Sequence, residues 1–258
     1  MTGRGRALRG ITLQFLGTRG EIEARSRRHA MHSSLLIASG DCKVMIDCGA
    51  DWGKRLRRIS PTAILLTHAH SDHAAGLKTG CSCPVFATAG TQEILKRYPI
   101  REWRTIHPWQ SFAIGPIAFE ALPVEHSPRA PAVGFRICRR VFYVPDVAAI
   151  PERPRALGGV TLYIGDGATP ARPILRKKPE GLIGHASILS QLEWCRDERV
   201  PCAIFTHCGS QIVAGDERRT TLRLRESGRR LGVRARLAYD GLRLVAGGET
   251  MVNRRRLP

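Results

Sequence analysis

No stretch of this 258-residue chain approaches the roughly 20 consecutive apolar residues that a membrane-crossing helix needs. The arginine-rich start, Met1 to Gly10, also lacks the apolar centre of a secretory signal. The expectation is a cytoplasmic protein with no membrane partner. C-x-x-C pairs are missing as well. The eight cysteines, at 42, 48, 81, 83, 138, 195, 202 and 208, are scattered, which fits reduced thiols better than a disulfide framework or a zinc knuckle. Cys81 and Cys83 stand two apart with no partner pair, so they read as a loop or a strand end. Aromatic residues reach only 6%, and few of them interleave with the basic clusters, so a platform for stacking single-stranded bases is not indicated. No internal repeat of fixed period is visible.

Negative charge is scarce: 22 acidic residues face 41 lysines and arginines, giving a formal net charge of +19. The excess is supplied by clusters at Arg4 to Arg9, Arg25 to Arg28, Lys54 to Arg58, Arg172 to Lys178, Arg218 to Arg236 and Arg254 to Arg256. Such a field attracts polyanions, although clusters dispersed along a sequence can also cover several faces without forming one groove.

With 43% hydrophobic residues the chain can bury one large core. The expectation is a single domain over residues 10–248, with basic, fraying tails at 1–9 and 249–258. Short apolar or alternating runs predict strands at Ile11 to Leu16, Ser34 to Ala38, Val44 to Asp47, Ala63 to Thr67, Val85 to Ala87, Ile117 to Val124, Val133 to Ile137, Val141 to Val144, Val160 to Ile164 and Ala203 to Thr206. Helical patterns are fewer: Ala74 to Lys78, Thr91 to Arg97, Ser187 to Arg196, and Arg218 to Leu231 with Leu222, Leu224 and Leu231 turned inward. Val233 to Leu237 and Leu242 to Val245 bracket Tyr239-Asp240-Gly241 and read as a hairpin. Many strands interrupted by helices argue for an α/β protein, with sheet layers covered by helices.

The most informative segment is Thr67-His68-Ala69-His70-Ser71-Asp72-His73, arriving straight after the apolar run Ala63-Ile64-Leu65-Leu66. Three imidazoles and a carboxylate at the end of a buried strand read as a metal site, with donors that suit zinc and also manganese or iron. In an extended stretch His68 and His70 share a face, and the turn that follows redirects Asp72 and His73 towards a second point. Three more candidates end strands elsewhere: His126 after Ile117 to Val124, Asp146 after Val141 to Val144, and His207 after Ala203 to Thr206. Singly each is more often a turn carboxylate or a satisfied histidine; together they occupy the position type where loops converge to build sites.

These motifs, THAHSDH at Thr67 to His73, VEHS around His126, VPDV around Asp146 and FTHC around His207, resemble the metallo-β-lactamase superfamily over roughly Ile11 to Val245. The resemblance implies an αββα sandwich of two mixed β-sheets flanked by helices. It would put one divalent ion on His68, His70 and His126 and another on Asp72, His73 and His207, with Asp146 bridging. Two such ions about 3.5–4 Å apart share a water and bring its pKa towards neutrality. Asp72 and Asp146 are then expected to orient that water and accept its proton. Asp47, in Met45-Ile46-Asp47-Cys48-Gly49, resembles the family's aspartate near the site and is expected to hydrogen-bond a ligand histidine; a plain turn aspartate is the alternative.

Within the superfamily, Leu13-Gln14-Phe15-Leu16-Gly17-Thr18-Arg19-Gly20 and Arg28 to Ile37 are similar to the start of the ribonuclease Z group and of the cyclic-phosphate diesterase of phosphonate metabolism. Gly184-His185-Ala186-Ser187, at the start of a helical pattern, is similar to the motif by which those enzymes set an extra histidine beside the metals. His185 is therefore the expected general acid, with helix capping as its alternative role. Arg172, Arg176, Lys177 and Lys178 lie just upstream and are expected to grip a substrate phosphate unless they form a solvated loop. The long arm of a ribonuclease Z and the cysteine-rich metal site of the phosphonate enzyme are not recognisable here. His29, His32 and His107 show no ligand spacing and read as structural or surface residues. The expected function is a two-metal phosphodiesterase acting on a nucleotide or nucleic-acid phosphodiester, with a homodimer allowed. The alternatives are a ribonuclease Z-like or DNA nuclease, a thioesterase or lactone hydrolase, and a non-catalytic nucleic-acid-binding module.

Overall fold

A computed structural model describes residues 10–247 and 250–253 of the chain. Its strands fall in chain order into two sheets. The first takes β1 (Ile11–Gly17), β2 (Ser34–Ser39), β3 (Cys42–Ile46), β4 (Ala63–Leu65), β5 (Val85–Ala87) and β6 (Trp103–Thr105). The second takes β7 (Ser111–Ile114), β8 (Ile117–Val124), β9 (Ala132–Ile137), β10 (Val141–Tyr143) and β11 (Leu162–Asp166). A separate two-stranded hairpin follows, β12 (Ile174–Lys178) and β13 (Gly181–His185). β14 (Cys202–Thr206) and β15 (Arg234–Leu237) complete the second sheet, and β16 (Arg243–Gly247) and β17 (Thr250–Asn253) return to the first. The α-helices are α1 (Leu56–Ile59), α2 (Ser71–Ala74), α3 (Ala89–Ile94), α4 (Arg153–Leu157), α5 (Ile188–Asp197), α6 (Ser210–Val213) and α7 (Glu217–Arg230).

Sequence periodicity explains the layering. In β1 the buried residues alternate, so Ile11, Leu13 and Phe15 face inward, where they meet Leu35, Ile37, Phe119, Phe135 and Tyr143 from both sheets. Burying each such side chain contributes about 1.5–3 kcal/mol. The outer face of the second sheet carries Phe142, Tyr163 and Phe205 against Leu192 of α5 and Leu224 of α7. The outer face of the first carries Met45 and Ile64 against Trp52, Leu56 and Leu77. Helices, sheet, sheet and helices thus form the expected αββα sandwich, and both sheets mix parallel with antiparallel neighbours.

Several local expectations are corrected. Val233 to Leu237 and Leu242 to Val245 do not form a hairpin: β15 runs parallel to β14 in one sheet and β16 antiparallel to β1 in the other. The linker between them crosses because Asp240 is pinned, accepting hydrogen bonds from Thr18 Oγ1 at 2.7 Å, Ala30 N at 2.9 Å and Met31 N at 3.0 Å. Leu222 of α7 does not face inward but is 66% exposed, whereas Leu224, two residues and about 200° further round the helix, is buried. Thr250–Asn253, expected within a fraying tail, pairs with β16. The expectations for residues 1–9, 248–249 and 254–258 lie outside the described residues.

Candidate metal centre

Parallel neighbours end side by side, so whatever follows each strand arrives at one rim. In the second sheet β10, β11 and β14 are consecutive parallel neighbours. Their carboxyl ends deliver Asp146, Asp166 and His207. In the first sheet β3 and β4 are parallel and deliver Asp47 and the Thr67–His73 segment. His126 follows β8 and His185 closes β13. All reach one rim of the sandwich and meet there, although they span 160 positions of sequence from Asp47 to His207.

The donors fall into two groups that share one residue. His68, His70, His126 and Asp146 offer one atom each within 4.8 Å of one another, and so do Asp72, His73, Asp146 and His207. In the first, His68 Nε2 and His126 Nε2 lie 2.9 and 3.2 Å from His70 Nδ1, and 3.3 and 3.5 Å from Asp146 Oδ2. In the second, His73 Nε2 lies 3.1 Å from Asp72 Oδ2 and 3.0 Å from Asp146 Oδ2, and His207 Nε2 lies 2.9 Å from Asp72 Oδ2. The imidazoles are oriented from behind. His126 Nδ1 donates to the Gly184 carbonyl at 3.0 Å and His73 Nδ1 to Asp47 Oδ2 at 2.9 Å, so both rings turn Nε2 lone pairs inward. Asp47 is itself fully buried and accepts from Thr67 N and Oγ1 at 2.8 and 2.9 Å. Asp47 and His207 hold left-handed backbone, φ 65° and 53°, a conformation the surrounding contacts must maintain.

Whether this donor set fits a cation can be tested on its unpartnered atoms. Buried polar groups are rarely left without a hydrogen bond. Yet His73 Nε2, Asp146 Oδ1 and His207 Nδ1 are buried without one, although the last two are only 2.8 Å apart. Lone pairs that close and misaligned are aimed at a shared third point, as ligands of a cation are. Electrostatics agrees. Burial opposes the charge of Asp146, but the imidazoles of His207, His126 and His73 outweigh it and hold its carboxyl well below the ordinary range. Burial likewise opposes protonation of His73, and the carboxylates of Asp72, Asp47 and Asp146 overcome it. Carboxylates that pull protons onto buried imidazoles are asking for positive charge, which a divalent ion supplies in their place. Oxygen and imidazole donors in two groups of four, one shared, fit two divalent ions.

A third group was not anticipated: Asp146, Asp166, His185 and His207 also converge. His185 Nδ1 lies 2.8 Å from Asp166 Oδ2, and the fully buried Asp166 accepts further bonds from Val147 N at 3.1 Å and Ala168 N at 2.8 Å. Burial lowers the pKa of His185, but the Asp166 carboxylate more than reverses this and raises it above the ordinary histidine value. The signal for Asp166 was present, since it ends a strand in Ile164-Gly165-Asp166-Gly167 as Asp146 and His207 end theirs. His185 does not cap a helix; that role falls to Ser187, whose Oγ accepts from Ser190 N at 3.1 Å.

A cleft of about 540 Å³ opens on these groups, with Ile174 and Ile183 of the hairpin beside His70, His126, His185 and His207. Arg172, Arg176 and Lys177 are exposed and do not line it, and Lys178 lines a neighbouring cavity with Arg129 and Glu180. His29 and His32 are buried, His29 against Thr18 Oγ1 at 2.8 Å and His32 against Arg19. Cys208 is also buried, which pushes its thiol well above the usual range and removes it as a nucleophile.

A family model described as the beta-lactamase superfamily domain matches residues 43–208. The chain belongs to the metallo-β-lactamase superfamily. It is 26% identical over 283 aligned residues to a ribonuclease Z of Methanopyrus kandleri, covering 91% of this chain and 97% of the relative. Its structure is similar to that of a diphosphatase from the PhnP family, at TM-score 0.67 and 22% identity over 91% of this chain and 96% of the other. It is also similar to the short form of human tRNase Z, at TM-score 0.62 and 16% identity over 92% and 100%. The superfamily and the donor set make the protein a metal-dependent hydrolase related to these enzymes. No helix of the described residues is long and apolar enough to cross a membrane.

Proposed function

We propose that this metallo-β-lactamase superfamily member is a two-metal phosphodiesterase acting on a nucleotide or nucleic-acid phosphodiester. The observation that carries this reading is His185, its Nδ1 held 2.8 Å from the buried Asp166 carboxylate, standing beside two four-donor groups on one cleft. His68, His70, His126 and Asp146 would hold one divalent ion and Asp72, His73, Asp146 and His207 the other, zinc by preference, with manganese or iron as alternatives. When bound, such a pair lowers the pKa of a water and offsets charge that develops on phosphoryl oxygens.

The chain's own residues supply the proton traffic. Asp72 borders the cleft and is held ionised, burial being outweighed by His73 and His207, so it can accept a hydrogen bond from the attacking water and orient it while the proton passes to solvent. As the new phosphorus–oxygen bond forms, the bond to the leaving oxygen breaks. His185, its Nδ1 tied to Asp166, gives a proton from Nε2 to that oxygen. Asp47 orients His73, and Gly184 orients His126 through its carbonyl. A thioesterase expels a thiolate, which has less need of such an acid than the alkoxide that leaves a phosphodiester. Purified protein loaded with zinc or manganese should hydrolyse bis(p-nitrophenyl) phosphate; absence of turnover with every divalent ion tried would refute the assignment. A ribonuclease acting on structured RNA is the second reading, favoured by the full-length likeness to the archaeal ribonuclease Z. It requires cleavage of RNA precursors at low protein concentration.

A further inference from the structure

Far from the metal centre, a cleft of about 690 Å³ opens at the edge of the second sheet, between β15 and the C-terminal half of α7. Arg225 and Arg229 reach it from α7, one helical turn apart, and Arg234 and Arg236 from β15, two positions apart on one strand face. No carboxylate lines the cleft, and none of these four arginines forms an ion pair among the described residues, whereas Arg230 on the same helix is paired with Glu226. Arg234 donates to Cys202 Sγ at 3.1 Å, and Arg236 is half-buried, so burial works against its charge. Four unneutralised guanidinium groups around one depression make a site for an anion with several charges. The planar fork of arginine suits phosphate oxygens.

We propose that this arginine cleft holds the phosphate backbone of a polynucleotide, as a binding site separate from the metal centre. Separation follows from β14, whose first residue, Cys202, lines the cleft while His207 follows its carboxyl end, roughly 16 Å from Cys202 along the strand. A second copy of the chain is a poor occupant, because each copy brings a formal +19. The choice of a polynucleotide over an acidic polypeptide rests on the phosphodiesterase reading of the metal centre.

The test uses the metal-loaded protein and a labelled 20-nucleotide RNA of mixed sequence, followed by fluorescence anisotropy, with RNA integrity checked on a gel. Arg225→Gln with Arg229→Gln should weaken binding about tenfold and reduce the log–log salt slope by about 1.4, two contacts at roughly 0.7 each for a single strand. Arg57→Gln with Arg58→Gln removes the same charge from exposed positions of α1 and should weaken binding less than twofold. Arg234→Gln with Arg236→Gln, which leaves α7 untouched, gives a second reading should the first pair disturb that helix. Turnover of bis(p-nitrophenyl) phosphate should be unchanged in all three. Equal weakening by the cleft pair and the α1 pair would overturn the proposal, and so would polyglutamate that displaces the RNA as well as unlabelled RNA does. If the wild type fails to turn over the phosphodiester while the cleft pair still controls RNA binding, the metal-centre reading falls and the cleft stands.

Discussion

Replacing Asp166 by asparagine tests the catalytic proposal most sharply, because the two side chains have nearly the same shape and differ in charge. In the native protein the Asp166 carboxylate accepts from His185 at 2.8 Å in a fully buried setting. A hydrogen bond to a charged group contributes about 1.5–3 kcal/mol. Asparagine keeps an acceptor for that bond but not its charge, which should lower the His185 pKa. General acids contribute about 10²- to 10⁴-fold. The variant should therefore lose roughly 10²-fold in kcat/KM on a phosphodiester with an alkyl alcohol leaving group, which cannot depart without a proton. On bis(p-nitrophenyl) phosphate, whose phenolate leaves unaided, the loss should stay below about tenfold. The limb of the pH profile on which activity falls with rising pH should move to lower pH, since a group with a depressed pKa loses its proton sooner. His185→Ala should show the same contrast between substrates, and the double variant should be no worse than His185→Ala alone, because the two residues act as one unit. Both single variants should retain two metal ions per chain by elemental analysis. Equal loss on both substrates would refute the acid role, and loss of metal would move His185 and Asp166 into the ligand shell.

Three further outcomes follow from other parts of the site. Chelation should lower Tm by about 10 °C, with zinc or manganese restoring it, because a ligand at a thousand times its Kd contributes about 4 kcal/mol and each kcal/mol is worth about 2–4 °C at this size; an unchanged Tm would argue against bound ions. Gly49→Ala should destabilise by at least about 3 kcal/mol in urea and impair metal retention, since a Cβ there would stand 1.9 Å from the Asp72 carbonyl oxygen, which is backbone and cannot swing away. Burial and the Arg19 guanidinium push His32 down to about 4, so between pH 6.5 and 4 the unfolded chain binds the extra proton and stability falls as pH falls. His32→Gln, whose amide oxygen can still accept from Arg19, should lose about 2 kcal/mol less than the wild type between pH 7 and pH 5, and parallel curves would contradict this.

The sequence made the centre legible because its chemistry is concentrated and periodic. THAHSDH follows an apolar strand directly, and the rule that donors sit at strand ends found His126, Asp146 and His207, which the fold brings together. Asp166 obeys the same rule and was overlooked because Ile164-Gly165-Asp166-Gly167 reads equally well as a glycine turn. β12 left no trace in the pattern since all five of its residues are exposed, so no alternation of burial is imprinted on it. The basic segment Arg172 to Lys178 accordingly looked like a substrate grip, whereas the wall it offers to the cleft is Ile174. The false hairpin at Val233 to Val245 has a different cause. Local turn chemistry favours reversal there, but the three hydrogen bonds to Asp240 come from residues 18, 30 and 31, more than 200 positions away, and no local reading contains them.

Asp146 alone belongs to all three groups of converging donors. Its Oδ2 faces His68, His73 and His126 while Oδ1 faces His207 at 2.8 Å and His185 at 3.7 Å. Under the proposed function this one carboxylate would be shared by both groups that hold an ion and would also stand beside the acid. That position is not adjustable from outside: Val144 N is bonded to Ile164 O at 2.8 Å and Val147 N to Asp166 Oδ2 at 3.1 Å, so the loop carrying Asp146 is stapled to β11 on both sides of the residue. The second staple is the same Asp166 that braces His185. A perturbation of Asp166 severe enough to release Val147, as Asp166→Ala would be, should thus disturb the metal ligands as well as the acid. Asparagine with its oxygen at the Oδ2 position keeps the acceptor that Val147 N and His185 Nδ1 share and removes the charge and the Oδ1 acceptor of Ala168 N, so it separates the two effects.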